Sequence, residues 1–287
     1  MVKRLWFGPA GKPIGMKKGK MEDVPLFLRE IGLDALEYEA VRGVRISETK
    51  ARLLGERAAE NGIVMSLHAP YYINLASPEP EKREASIRRI VDSLKAAEWM
   101  GAYAVVIHTG YYKGYKDRRE ALRVAIEGYK EVLERIPSWV KRPSISPEIM
   151  GRKLAIGNVD EVIEICREIG DRCRPTVDWA HLHARYEGQY ITSLDHVLEV
   201  IERIERELGS RAVNPLHTHF SKIEYGRGGE KEHHTLSEVE YGPEWDIVCK
   251  AYLETGIKAV VISESPILEK DAILMRDHCR NIDSSAV

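Results

Sequence analysis

Eight short apolar runs, separated by longer charged stretches of helical period, recur from end to end of this 287-residue chain. They are LWFG near residue 6, ALEYE near 37, IVMSLH ending at 68, YAVVIH ending at 108, SISPE ending at 148, PTVD ending at 178, NPLHTH ending at 219 and AVVISE ending at 264. Runs so short and so rich in β-branched residues read as buried strands. The stretches between them, among them EKREASIRRIVDSLKAAEWMGA, REALRVAIEGYKEVLERI, VDEVIEICREIG and SLDHVLEVIERIERELG, space apolar residues three or four apart and read as amphipathic helices. Gly62, Gly101 and Gly170 stand where helices should stop before the next strand. An open doubly wound sheet alternates in the same way, but FGPAGKPIG after the first strand lacks the GxGxxG spacing of a phosphate-binding turn. About eight βα units in this length close more naturally as a (β/α)8 barrel. The expectation is therefore an α/β chain forming a single TIM-barrel domain over residues 1–287, with no linker or composition break to divide it. The longest irregular stretch, SKIEYGRGGEKEHHTLSEVEYG, follows the seventh strand and is expected to be a functional loop.

Most of these strands finish on a metal-binding side chain: His68, His108, Glu148, Asp178, His217 and Glu264. A strand entering a turn has no packing reason to end on imidazole or carboxylate, and in such barrels the carboxyl ends of the strands share one mouth. Neutral imidazoles and carboxylates are preferred zinc ligands. Glu148 has two oxygens and could bridge two ions, as a two-metal hydrolytic site requires. Asp178 and His181 form a D-x-x-H where the sixth strand turns into a helix, and His183 follows two positions on. In LHTHFSK the strand period of two puts His217 and His219 on one face, so either could be a ligand. His233 lies in the loop after the seventh strand, among Glu230, Lys231 and Glu232.

With 43 basic against 45 acidic residues, no global field advertises a nucleic-acid or membrane partner. No apolar run reaches the roughly 18 residues of a membrane span and MVKRLWFG is no signal peptide, so a cytoplasmic location is expected. Cys166, Cys173, Cys249 and Cys279 show no CxxC spacing and are expected as buried free thiols, with a Cys166–Cys173 bridge as the lesser alternative. A charged fraction of 31% beside a lone glutamine, Gln189, fits a heat-adapted protein.

The segment HAPYYINLASPEPEKREASIRRIVDSLKAAEWMGAYAVVIHTG, followed by PEIMG, VDWAH, LHTHFSK, HHTLSE and ISESP, resembles the endonuclease IV family of apurinic/apyrimidinic endonucleases, within the xylose-isomerase-like barrels. The resemblance implies hydrolysis of DNA at abasic sites by a zinc cluster, with manganese as a substitute. It implies His68, His108 and Glu148 on one ion, Glu148, Asp178, His217 and Glu264 on a second, and His181 and His233 on a third, with Glu148 positioning the nucleophile. Tyr71 would match a tyrosine that enters the DNA and Arg42 an arginine beside it. His219, His183, Glu230 and Glu232 would support the ligands. Where the family has an aspartate two residues before its last histidine, this chain has Lys231, which leaves two or three metals and asks Glu230 or Glu232 to substitute. HTHF replaces the family's H-x-N-D. A monomer is the default. The rival readings are a sugar isomerase or epimerase using Glu148, Asp178, His217 and Glu264 on one ion, and a damage-binding protein weakened at Lys231.

Overall fold

A computed structural model describes residues 5–285. Eight parallel strands form the barrel: β1 (Leu5–Pro9), β2 (Ala35–Glu39), β3 (Val64–His68), β4 (Ala104–Ile107), β6 (Ser144–Pro147), β8 (Thr176–Asp178), β9 (Leu216–Phe220) and β12 (Ala259–Ser263). Two four-stranded arcs, β1-β12-β9-β8 and β2-β3-β4-β6, close on each other through parallel bridges, Ala10 to Glu37 at one seam and Glu148 to Thr176 at the other. At the first seam β1 and β2 approach so closely that a Cβ on Gly8 would fall 1.8 Å from the Ala35 carbonyl oxygen, so only glycine fits there. Two short pairs decorate the carboxyl face: β5 (Gly110–Tyr111) with β7 (Ala155–Ile156), and the hairpin of β10 (Lys222–Gly226) with β11 (Gly229–His234). That hairpin is a correction, for the stretch after the seventh strand is an ordered β-ribbon in its first half and not a structureless loop.

The helices are α1 (Val24–Glu30), α2 (Glu48–Asn61), α3 (Pro80–Met100), α4 (Arg118–Arg135), α5 (Val159–Ile169), α6 (Trp179–Arg185), α7 (Leu194–Leu208), α8 (Trp245–Thr255) and α9 (Glu269–Ser285). Gly62 and Gly101 end α2 and α3 in the left-handed conformation at φ 70° and 67°, which satisfies the last helical carbonyls without a Cβ clash. At the start of α5, Asn158 and Glu161 form a reciprocal capping box.

The main core lies between strands and helices, where Leu36, Leu67, Val105, Ile145, Val177, Leu216 and Val261 are fully buried. The alternate residues point into the barrel in layers. Ala35 and Val260 fill its floor together with Trp6, Val64 and Tyr103, and Ile262 joins this cluster from one layer higher on β12. Above this floor the interior turns polar, with Glu37, Ser66, Ser146, Thr176 and His217 all buried. No described helix is long and apolar enough to cross a membrane.

The cysteines depart from expectation. Cys166 on α5 is bonded to Cys173 and Cys249 on α8 to Cys279 on α9, with Cα separations of 5.0 and 5.8 Å, so none is free. Helix packing brings the second pair together across 30 residues, which sequence spacing alone could not reveal.

Candidate metal centre

The uppermost layer of the barrel collects the strand-end residues. Glu148, at the end of β6, is fully buried at its middle. One carboxylate oxygen, Oε2, stands 3.3 Å from His68 Nε2 and 2.9 Å from His108 Nε2, while Oε1 stands 3.1 Å from His181 Nδ1 and 3.5 Å from His219 Nδ1. Three groups of ligand atoms converge within coordination reach: His68, His108 and Glu148; Glu148, Asp178, His219 and Glu264; and His181, His233 and Glu264. They share Glu148 and Glu264, so they form one continuous cluster.

The imidazole that meets Glu148, Asp178 and Glu264 is His219, not His217. Register explains the correction: Asp178 pairs with His219 and Thr176 with His217, so His217 lies one layer deeper. There it stands 2.6 Å from the Tyr103 hydroxyl and 2.9 Å from Glu37.

Of the two acids expected to stand in for the residue at Lys231, Glu230 is the one that faces the cluster. A bulge in the β10–β11 ribbon lets Glu224 pair with Glu232 and Tyr225 with Glu230, leaving Lys231 as the extra residue. Its ammonium turns away to Glu224 at 2.8 Å. Glu230 is thereby directed inward, 3.1 Å from His181 Nε2, and is held by the Gly151 amide at 3.0 Å and Arg152 at 3.2 Å. A Cβ at Gly151 would lie 2.4 Å from the Glu230 carboxylate and 2.9 Å from its Cβ, so a larger residue there would push Glu230 out of this position. Ser221 hydrogen-bonds His233 Nδ1 at 2.7 Å and leaves Nε2 facing Glu264 at 3.6 Å.

Of the remaining candidates, Glu232 stays exposed and groups with Glu224 and His234. His183 is tied to the Tyr190 carbonyl at 2.8 Å and packs edge-on against Tyr225, so it braces the ribbon. Tyr71 lies over the rings of His68 and His108, with centroids 4.9 and 5.2 Å away. Arg42 is exposed on the turn after β2. Glu37 and Glu39 also reach the site, beyond the residues expected from strand ends. Their signal in the sequence is alternation, since Glu37 and Glu39 in ALEYE share the inward face of β2.

Carboxylates and imidazoles shift one another's titration throughout the site. Burial alone would raise the Glu148 carboxyl, yet His108, His181 and His219 hold it well below the usual range. Glu264, also pushed upward by burial, is pulled down to about 2 chiefly by His219. The imidazoles answer in kind: against burial, Glu148 and Glu39 raise His68 to about 10, and acidic neighbours raise His181 and His219 well above the ordinary value. Burial lifts Asp178 to about 6 and Glu39 to about 8.

The donor set fits divalent metal. Glu148 Oε1, Asp178 Oδ2 and His219 Nδ1 are buried without a well-aligned hydrogen bond, although charged atoms lie 3.1 to 3.5 Å away. Donor atoms gathered this closely without hydrogen-bond alignment have the spacing that ligands of one cation would have, since tetrahedral donors at about 2.0–2.1 Å stand roughly 3.3 Å apart. Above the cluster a cavity of about 380 Å³ is lined by Tyr71, His108, Tyr111, Arg152, His181 and His233, among others.

Residues 26–281 match the family of xylose isomerase-like TIM barrels. An uncharacterized protein of Methanocaldococcus jannaschii is 36% identical over 273 residues, covering 94% of this chain and 95% of that protein. A probable endonuclease 4 of Acholeplasma laidlawii is 27% identical over 220 residues, 69% of this chain and 72% of the relative. Among solved structures, endonuclease IV from Thermus thermophilus superposes with a TM-score of 0.71 at 21% identity, covering 97% of this chain and 99% of the other. A D-tagatose 3-epimerase-like protein also reaches 0.71, at 19% identity, with 97% and 100% covered. The fold is thus shared by nucleases and sugar epimerases. With that match over nearly its whole length, the chain belongs to the xylose isomerase-like TIM barrel family, with probable endonuclease 4 proteins among its relatives.

Proposed function

We propose that this protein is a zinc-dependent phosphodiesterase of the endonuclease 4 type that cuts double-stranded DNA at abasic sites. The observation that carries the reading is the size of the cluster. An epimerase site needs one metal on Glu148, Asp178, His219 and Glu264; here His68 with His108, and His181 with His233 and Glu230, extend the donor set on both sides. Three ions would be held by His68, His108 and Glu148, by Glu148, Asp178, His219 and Glu264, and by His181, His233 and Glu230. Bound divalent metals of this kind polarise a phosphate and make water acidic near neutral pH. In this chain Glu148 spans the groups and is placed to orient a nucleophile between them. Tyr71, 42% exposed above His68 and His108, offers a ring for a displaced base or sugar to pack against.

One observation favours the sugar epimerase alternative. Glu39 and Glu230 stand at the mouth, while Arg152 and Lys231 are each paired with an acid, so neither of these two cations is free to meet an incoming phosphate. A labelled duplex with one abasic site separates the readings. The nuclease cuts it beside the lesion, loses activity with chelator and regains it with zinc. Intact duplex after zinc or manganese replenishment, with ketose epimerisation instead, would favour the alternative. Tight binding of the abasic duplex without cutting would indicate a protein that only senses damage.

A further inference from the structure

Beneath the cluster a chain of polar groups runs through the barrel, and nothing in the proposed chemistry uses it. The Tyr103 hydroxyl lies 2.6 Å from His217 Nδ1, and His217 Nε2 lies 2.9 Å from Glu37 Oε2. Ser66 Oγ donates to the same carboxylate oxygen at 2.7 Å. The other oxygen, Oε1, lies 2.9 Å from His219 Nε2, and His219 Nδ1 in turn faces Glu264 at 3.1 Å and Glu148 at 3.5 Å. Glu37, His217 and His219 are all completely buried.

Donor and acceptor roles along this chain run one way. A Glu37 carboxylate can only accept, so the single proton of a neutral His217 sits on Nε2 and points at Glu37, which leaves Nδ1 to accept from the phenol. A carboxylate accepting from His217 and Ser66 has no proton to give, so the proton between Glu37 and His219 belongs on His219 Nε2. A neutral imidazole protonated at Nε2 carries its lone pair on Nδ1, the nitrogen that faces Glu148 and Glu264. The Nε2–Oε1 pair is near but off the hydrogen-bond axis, and a small turn of the ring completes the bond. A buried carboxylate is costly unless its partners use it fully, which argues against Glu37 as filler beneath the site.

We infer that Glu37 is a positioning residue: backed by His217 and Tyr103, it fixes the tautomer and orientation of His219 so that Nδ1 is offered to the metal shared with Glu148, Asp178 and Glu264. The inference rests on reading that quartet as a metal site. It does not depend on whether the reaction is hydrolysis or epimerisation.

Zinc titration against a chromophoric chelator tests it in the wild type, Glu37→Ala, Glu37→Gln and Tyr103→Phe, with thermal unfolding of each metal-free protein alongside. Loss of such a supporting partner typically weakens metal binding roughly 10–100-fold. That drop is expected for one site in Glu37→Ala, with partial recovery in Glu37→Gln, whose amide oxygen still accepts, and a smaller drop in Tyr103→Phe. Nitrogen-15 spectra of the zinc-loaded wild type should show His219 protonated at Nε2. Wild-type zinc affinity in Glu37→Ala and Tyr103→Phe, with lowered thermal stability alone, would overturn the inference, as would a proton on Nδ1. Should Glu37→Ala not fold, Tyr103→Phe and the spectra decide it. A wild type that binds neither zinc nor manganese would remove the metal reading itself, a different result from affinities that ignore Glu37.

Discussion

Single residues divide the site into what a sequence can and cannot disclose. His68, His108, Glu148, Asp178 and Glu264 were legible because each ends an apolar run, and a strand end has one place to go in a barrel. His217 and His219 share a face of one strand, so periodicity could not rank them; only the pairing of Asp178 with His219 places the latter at the level of the cluster. The two should respond unequally to replacement. His219→Ala is expected to lower activity by more than about 100-fold through loss of a ligand, whereas His217→Ala, which removes only support, should fall within the roughly 10–100-fold cost of a missing outer partner. Steady-state rates at saturating zinc, with metal content measured on the same samples, check this. Equal effects would return His217 to the ligand set.

At the scale of elements, two features escaped the sequence because both depend on contacts between segments. The β10–β11 bulge decides whether Lys231 or Glu230 faces His181, and no local pattern in GEKEHH marks which residue will be the unpaired one. The disulfides depend on helix packing in the same way. The Cys249–Cys279 bridge closes 30 residues between α8 and α9. By the loop-entropy argument its removal costs about 3–4 kcal/mol, and the Cys166–Cys173 bridge, closing a far shorter loop, about 2 kcal/mol. Cys249→Ser should therefore lower the melting temperature by roughly 10 °C, more than Cys166→Ser does. Calorimetry of the two variants beside the wild type tests the order, and a larger loss from Cys166→Ser would contradict it.

The whole molecule was the most legible level. All eight expected strands occur within a residue or two of their predicted ends, since a parallel barrel repeats one signal eight times and local errors do not accumulate. What repetition could not show is that the barrel interior above its floor is polar, with Glu37 and His217 beneath the cluster of candidate ligands. That interior makes stability depend on pH and metal together. Burial opposes the charge on His68, but Glu148 and Glu39 raise it to about 10, against about 6.5 in the unfolded chain. Its contribution to the metal-free protein is therefore fully present below about pH 6.5 and lost as pH rises through 10. Zinc requires the same imidazoles deprotonated, so its affinity climbs over that interval. The gain in melting temperature on adding zinc should grow steadily from pH 6.5 to 9, and a gain that shrinks with pH would contradict the assignment of His68 to the metal site. The nuclease reading rests on the extended donor set, so metal counting tests it most directly. Elemental analysis of zinc-replenished protein should give three zinc ions per chain, falling to two in Glu230→Ala. A single ion in the wild type, unaffected by Glu230→Ala, would contradict the three-metal account and leave the one-metal epimerase site in its place.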